Sequence, residues 1–138
     1  MESDAISWKE IDTITKLLSD KIKATGKKFN SISTITRGGL VPSRLMADRL
    51  DIHEILVDKS KIPLDSLFVD DIYDSGDTFK KVLSKVENPN NLVYATLFAR
   101  KGKLYPKQLI FAQKTKGNEY IVYPWDKLEH KRMKKFQK

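Results

Sequence analysis

The chain has 138 residues, 40% of them hydrophobic and 32% charged, a balance that fits one globular domain with a core and excludes a disordered chain. It contains no cysteine and two histidines, which excludes disulfides, thiolate nucleophiles, thiolate metal sites and a histidine cluster. Its formal net charge of +8 favours anionic partners, either phosphorylated small molecules or nucleic acid.

In chain order, Ser7 followed by Glu10 forms a capping box that opens a helix. Trp8, Ile11, Ile14, Leu18 and Ile22 then recur at helical spacing, and Gly26 suits the stop. "FNSISTITR" (29–37) alternates β-branched residues with Ser and Thr and reads as a strand ending at Gly38 and Gly39. Leu40, Val41, Leu45 and Leu50 begin a second helix with Pro42 in its first turn. "IHEILVD" (52–58) and "SLFVDD" (66–71) are short strands. Thr78, Phe79, Val82, Leu83 and Val86 form a third helical stripe, closed by "NPNN". "NLVYATLFAR" (91–100) reads as a buried strand, followed by "KQLIFAQK" and "EYIVYPWD". Strands alternating with helices predict an α/β fold with a mainly parallel sheet, whose ligands gather at the carboxyl ends of the strands.

No apolar run approaches the ~20 residues that cross a bilayer, and "MESDAISWKE" lacks a basic and then apolar leader pattern. The expectation is therefore a cytoplasmic protein without membrane contact. The C-terminal "DKLEHKRMKKFQK" is rich in Lys and Arg; it reads as a solvated end, with RNA contact or assembly as the alternative.

The stretch "LFVDDIYDSGDTF" (67–79) sets four carboxylates behind an apolar strand. With Asp70 and Asp71 at the strand end and Thr78 opening a helix, the residues between become a loop whose backbone N–H groups suit a phosphate. Gly76 allows close approach and positive φ. The Ser75 and Thr78 hydroxyls can donate to phosphate oxygens, and the paired acids can accept from a sugar diol or hold Mg²⁺ carried by a diphosphate. An acidic helix-capping turn is the plainer alternative.

That order of strand, double acid, glycine loop and helix resembles the signature of type I phosphoribosyltransferases. These enzymes use 5-phosphoribosyl 1-diphosphate (PRPP) and Mg²⁺ to attach a nitrogen base to ribose 5-phosphate. "ISTITRGGLVPSRLMADRL" (32–50) is similar to the diphosphate loop of the bacterial xanthine-guanine branch, and "YIVYPWD" (120–126) to that branch's hood over the purine. The resemblance runs from about residue 29 to 126. It implies a single type I phosphoribosyltransferase domain over 1–138, with a hood formed mainly by about 104–130.

The resemblance further implies site roles. Asp70 and Asp71 would engage the ribose hydroxyls and the metal, and Asp74 would be the acid/base near N7 of the purine. Asp74, Ser75, Gly76, Asp77 and Thr78 would form the 5′-phosphate loop. Thr36, Arg37, Gly38 and Gly39 would cradle diphosphate, and in relatives the peptide before this arginine is often cis. Tyr120 would stack on the base, the Ile121 backbone and Asp126 would complete the purine pocket, and Trp125 reads as support. Arg100 or Lys101 would donate to the purine 6-oxo group.

The implied activity is transfer of the phosphoribosyl group to guanine, xanthine or hypoxanthine by a dimer or tetramer. A second reading is a nucleotide sensor, or a regulator binding RNA or protein. Relatives carry a long mobile loop before the acidic motif, whereas "VDKSKIPLDS" (57–66) leaves room for a short connection. Lys59, Ser60 and Lys61 would then make a minimal lid, a partner subunit would cover the site, or activity would be weak.

Overall fold

The computed structural model describes residues 2–136, with side-chain surroundings described as far as residue 132 except at 129. β1 (Ser3–Ala5) precedes α1 (Trp8–Lys23), which opens on the predicted capping box: Glu10 N–H donates to Ser7 Oγ at 3.1 Å, and Ser7 N–H to the Glu10 carboxylate at 3.3 Å. Ile11, Ile14, Leu18 and Ile22 form its buried stripe, each contributing about 1.5–3 kcal/mol of transfer free energy.

β2 (Ser31–Thr34), α2 (Leu40–Leu50), β3 (Glu54–Val57), β4 (Ser66–Tyr73), α3 (Asp77–Leu83), β5 (Tyr94–Ala99) and β6 (Leu109–Lys114) follow. They build a fully parallel five-stranded sheet in the order β3-β2-β4-β5-β6. β7 (Tyr120–Val122) pairs in parallel with β1 as a separate two-stranded sheet, and α4 (Lys127–Phe136) ends the described chain.

The parallel sheet is covered on both faces, as such sheets must be. Side-chain alternation along β4 divides the core: Leu67 and Val69 join the α1 and α2 side, while Phe68 packs with Phe79, Val82, Leu92 and Tyr94 beneath α3. The strand order reverses between β2 and β4, which opens a crevice at their carboxyl ends.

Four features differ from the sequence reading. β1 is three residues long and carries no alternating apolar pattern to announce it. β4 extends to Tyr73 because its ladder with β5 runs on through Ile72↔Phe98 and Tyr73↔Ala99, so the acidic loop is shorter than 72–78. Within the stretch expected as hood, 109–114 forms the edge strand of the main sheet, leaving β1, β7 and α4 as the part outside it. The basic tail is helical over 127–136, and the His130 ring stacks on Tyr120 with centroids 5.5 Å apart; residues 137 and 138 lie outside the described residues.

The short connection after β3 is tied down at Ile62, which is buried beneath α3. Its N–H donates to the Lys85 carbonyl at 2.9 Å, and it forms a parallel bridge with Val86. Among the described residues, no helix is long and apolar enough to cross a membrane.

Candidate phosphoribosyl site

Two loops meet at the crevice between β2 and β4. The first, residues 36–39, leaves β2 for α2 and contains a cis Thr36–Arg37 peptide, as the resemblance implies. Its foundation is Thr34, whose hydroxyl donates to the Val69 carbonyl of β4 at 2.6 Å. Gly39 sits directly against that hydroxyl, and a Cβ there would also come within 2.9 Å of the Val69 carbonyl. A Cβ at Gly38 would lie 2.8 Å from Asp71 Oδ2. Gly39 is thus required by close approach to backbone, a side chain at Gly38 would have to displace the Asp71 carboxyl, and the first loop lies directly over that acid.

Asp70 and Asp71 are the fifth and sixth residues of β4, near its carboxyl end, and both line the same cleft. Asp70 is 7% exposed. It accepts from the Tyr94 hydroxyl at 3.3 Å and from the Asp71 N–H at 2.8 Å. Asp71 is half-buried under Gly38 and accepts from the Ile72 N–H at 2.8 Å. Tyr123, buried in the core, donates its hydroxyl to the Asp71 carbonyl at 2.9 Å and so ties β7's end to β4.

Burial raises both carboxyls above their ordinary range. For Asp71 the rise is large, because the neighbouring Asp70 charge adds to desolvation. Burial and the two acids likewise push the Tyr94 and Tyr123 hydroxyls up, so both stay protonated donors.

The second loop is Asp74, Ser75 and Gly76, leading into Asp77 and Thr78 of α3. Gly76 has φ +90°, and a Cβ there would meet the Tyr73 hydroxyl at 2.8 Å. The Asp77 N–H donates to Ser75 Oγ at 3.3 Å, and the Lys80 N–H closes the first helical turn on the Gly76 carbonyl at 3.0 Å. Because α3 has seven residues, the loop's own amides and hydroxyls, rather than a long helix dipole, would hold an anion. A cleft of about 140 Å³ lies here, lined by residues 70–79 and Tyr94.

Of the two candidates that the sequence left open, Arg100 reaches the acidic loop. Its Nε and Nη2 donate to the two Asp74 oxygens at 3.1 and 3.3 Å. Its Nη1 donates to the Gly117 and Glu119 carbonyls at 3.1 and 2.7 Å, joining Asp74 to the chain just before β7. Lys101 is exposed, and its backbone N–H bonds to Thr115 Oγ1.

Tyr120 opens β7 and is 36% exposed, Ile121 turns its side chain into the core, and Asp126 is half-buried in a 3-10 turn. Trp125 is packing, stacked on Tyr123 at 4.7 Å and tilted against Trp8 at 5.8 Å.

Sequence reasoning missed Asp58, which accepts from both the N–H and the hydroxyl of Thr36, and Tyr94, the donor to Asp70. Neither carries a local signal, since each acts across a gap of more than twenty residues.

No family model matches the chain. It is 28% identical to the xanthine-guanine phosphoribosyltransferase of Desulfotalea psychrophila, over 88% of this chain and 84% of that protein. The xanthine-guanine-hypoxanthine phosphoribosyltransferase of Helicobacter pylori shares the fold with a TM-score of 0.76 at 18% identity, covering 97% of this chain and 99% of that one. A hypothetical protein from Neisseria gonorrhoeae, solved with bound ppGpp, superposes with a TM-score of 0.68 at 23% identity, covering 100% and 99%. The chain therefore shares its fold with purine phosphoribosyltransferases of known structure and is similar in sequence, over most of both chains, to xanthine-guanine phosphoribosyltransferases.

Proposed function

We propose that the protein transfers the 5-phosphoribosyl group of PRPP to a 6-oxopurine base, guanine, xanthine or hypoxanthine, and releases diphosphate. The observation that carries this reading is the meeting of the 36–39 loop with Asp71 at the strand-order reversal, with Asp70 and the 74–78 loop lining the adjoining cleft. The relatives with purine phosphoribosyltransferase names support the substrate class.

In this reading the purine N9 attacks C1′ of the ribose, the C1′–diphosphate bond breaks, and a proton leaves the base. The carboxylates of Asp70 and Asp71 face the ribose, where positive charge develops as the diphosphate departs. The 74–78 loop holds the 5′-phosphate, and residues 36–39 receive the leaving diphosphate. Asp74, oriented by the Arg100 fork, takes the proton at the purine's imidazole edge. Tyr120 offers its ring to the base.

The acid pair fits Mg²⁺, because burial raises both carboxyls, and Asp71 further through the Asp70 charge, so both would gain from a bound cation. Among the described residues no group of three acidic, His or Cys side chains gathers, so diphosphate and water would supply its remaining ligands. When bound, the ion would neutralise charge on the departing diphosphate.

The Ile62 tether favours one second reading, a nucleotide-sensing member of the fold, since this connection cannot swing over the crevice as a long loop would. Assaying PRPP with guanine, xanthine, hypoxanthine, adenine, orotate and uracil in the presence of Mg²⁺ separates the two. Diphosphate release with one or more 6-oxopurines is expected. Tight nucleotide binding with no turnover of any base would overturn the transferase reading.

A further inference from the structure

We infer that Asp58 is a positioning residue for diphosphate: its carboxylate holds Thr36, and through Thr36 the whole 36–39 loop, in binding shape before any ligand arrives. The inference rests on the transferase reading of that loop.

Asp58 is the first residue after β3. Its N–H donates to the Thr34 carbonyl at 3.0 Å, continuing the strand pairing by one step. Its backbone then turns left-handed, with φ +54°, a conformation that Asp and Asn tolerate better than most residues. That turn aims the side chain back at β2's exit. Oδ1 accepts from the Thr36 N–H and Oδ2 from Thr36 Oγ1, both at 2.9 Å. The first of these bonds is the main reason the Asp58 carboxyl lies below its ordinary range.

The grip falls at the start of the loop, between two other fixed points. Thr34 is anchored to β4, and Gly39 is wedged against Thr34. Thr36 lies between, exposed, and Asp58 supplies its fixed point. Asp58 is itself held from behind. Four residues later the connection is pinned at Ile62 to the end of α3. Segment 58–62 therefore acts as a brace between α3 and the diphosphate loop.

A carboxylate beside a diphosphate site would ordinarily repel the ligand. Here both oxygens are engaged by Thr36, so the negative charge is turned onto the protein's own donors. The advantage is preorganisation: a loop already shaped loses less conformational freedom on binding.

The test uses the full chain and two variants. Asp58→Gly removes the carboxylate while accepting the left-handed backbone, and Asp58→Asn keeps one acceptor and tolerates the same φ. Calorimetry with inorganic diphosphate and with PRPP, both with Mg²⁺, is read beside KM and kcat.

For Asp58→Gly, the Kd for diphosphate and the KM for PRPP should rise about tenfold. The kcat at saturation, the Kd for GMP and the melting temperature should stay near wild type. Asp58→Asn should recover part of the loss. If Asp58→Gly binds diphosphate and PRPP within twofold of wild type, Asp58 does not position the loop. An equal loss of GMP affinity, or a fall in melting temperature that accounts for the weaker binding, also overturns the role. A wild type that binds neither ligand overturns the transferase reading itself, and this inference with it.

Discussion

Asp74 is held from both oxygens by a single guanidinium that also grips two backbone carbonyls before β7. Asp74→Asn keeps the side chain's shape but removes its capacity to take a proton, so kcat should fall about 10²–10⁴-fold in a steady-state assay. Affinity for ribose 5-phosphate should change little. Equal losses of rate and of ribose-phosphate affinity would make it a structural residue.

Asp71 makes a second prediction because its carboxyl is pushed well above the ordinary range by burial and by Asp70. Between the unfolded value and that raised value the folded state binds more protons, so stability falls as pH rises through the window. In metal-free buffer at neutral pH, Asp71→Asn should melt about 3 °C higher than wild type while losing activity. The gain should fade as pH falls towards ~4, where both states hold the proton. A variant less stable than wild type at neutral pH would contradict this account.

At the scale of elements, Gly76 shows how tightly the loop and α3 depend on one another. Gly76→Ala must carry a Cβ at φ +90° and place it against the Tyr73 hydroxyl. Denaturant unfolding should register a loss of about 1–2 kcal/mol, and PRPP binding should weaken with it. That dependence was legible in the sequence, since the apolar strand, the acids and the glycine follow one another locally.

The same holds for α1, whose stripe and capping box are contiguous signals, and for β5, a continuous apolar run. Contacts across elements were not legible. The Asp58–Thr36 and Arg100–Asp74 pairs join residues 22 and 26 apart, and their meeting depends on strand order rather than on any local pattern. β6 illustrates the limit from the other side: its strand character is plain in "LIFAQK", but only the fold decides that it pairs with β5. The helical form of the tail was hidden because a Lys-rich stripe reads equally well as a solvated end.

Across the whole molecule, the +8 charge acts as a field on any anionic substrate. PRPP carries several negative charges and a 6-oxopurine base is nearly neutral, so salt should distinguish them. Raising ionic strength from about 50 to about 300 mM should increase the KM for PRPP roughly three- to tenfold and leave the KM for the base almost unchanged. Equal insensitivity of both constants would mean that the excess charge lies too far from the crevice to matter. The two tryptophans of the chain offer a way to follow such binding. Trp8 on α1 and Trp125 beyond β7 stand 5.8 Å apart, with Tyr123 stacked beneath Trp125 and donating to the Asp71 carbonyl. Both indoles therefore sit at one junction, linked through Tyr123 to the backbone of Asp71, so a ligand entering the crevice should shift the protein's intrinsic emission in a fluorescence titration.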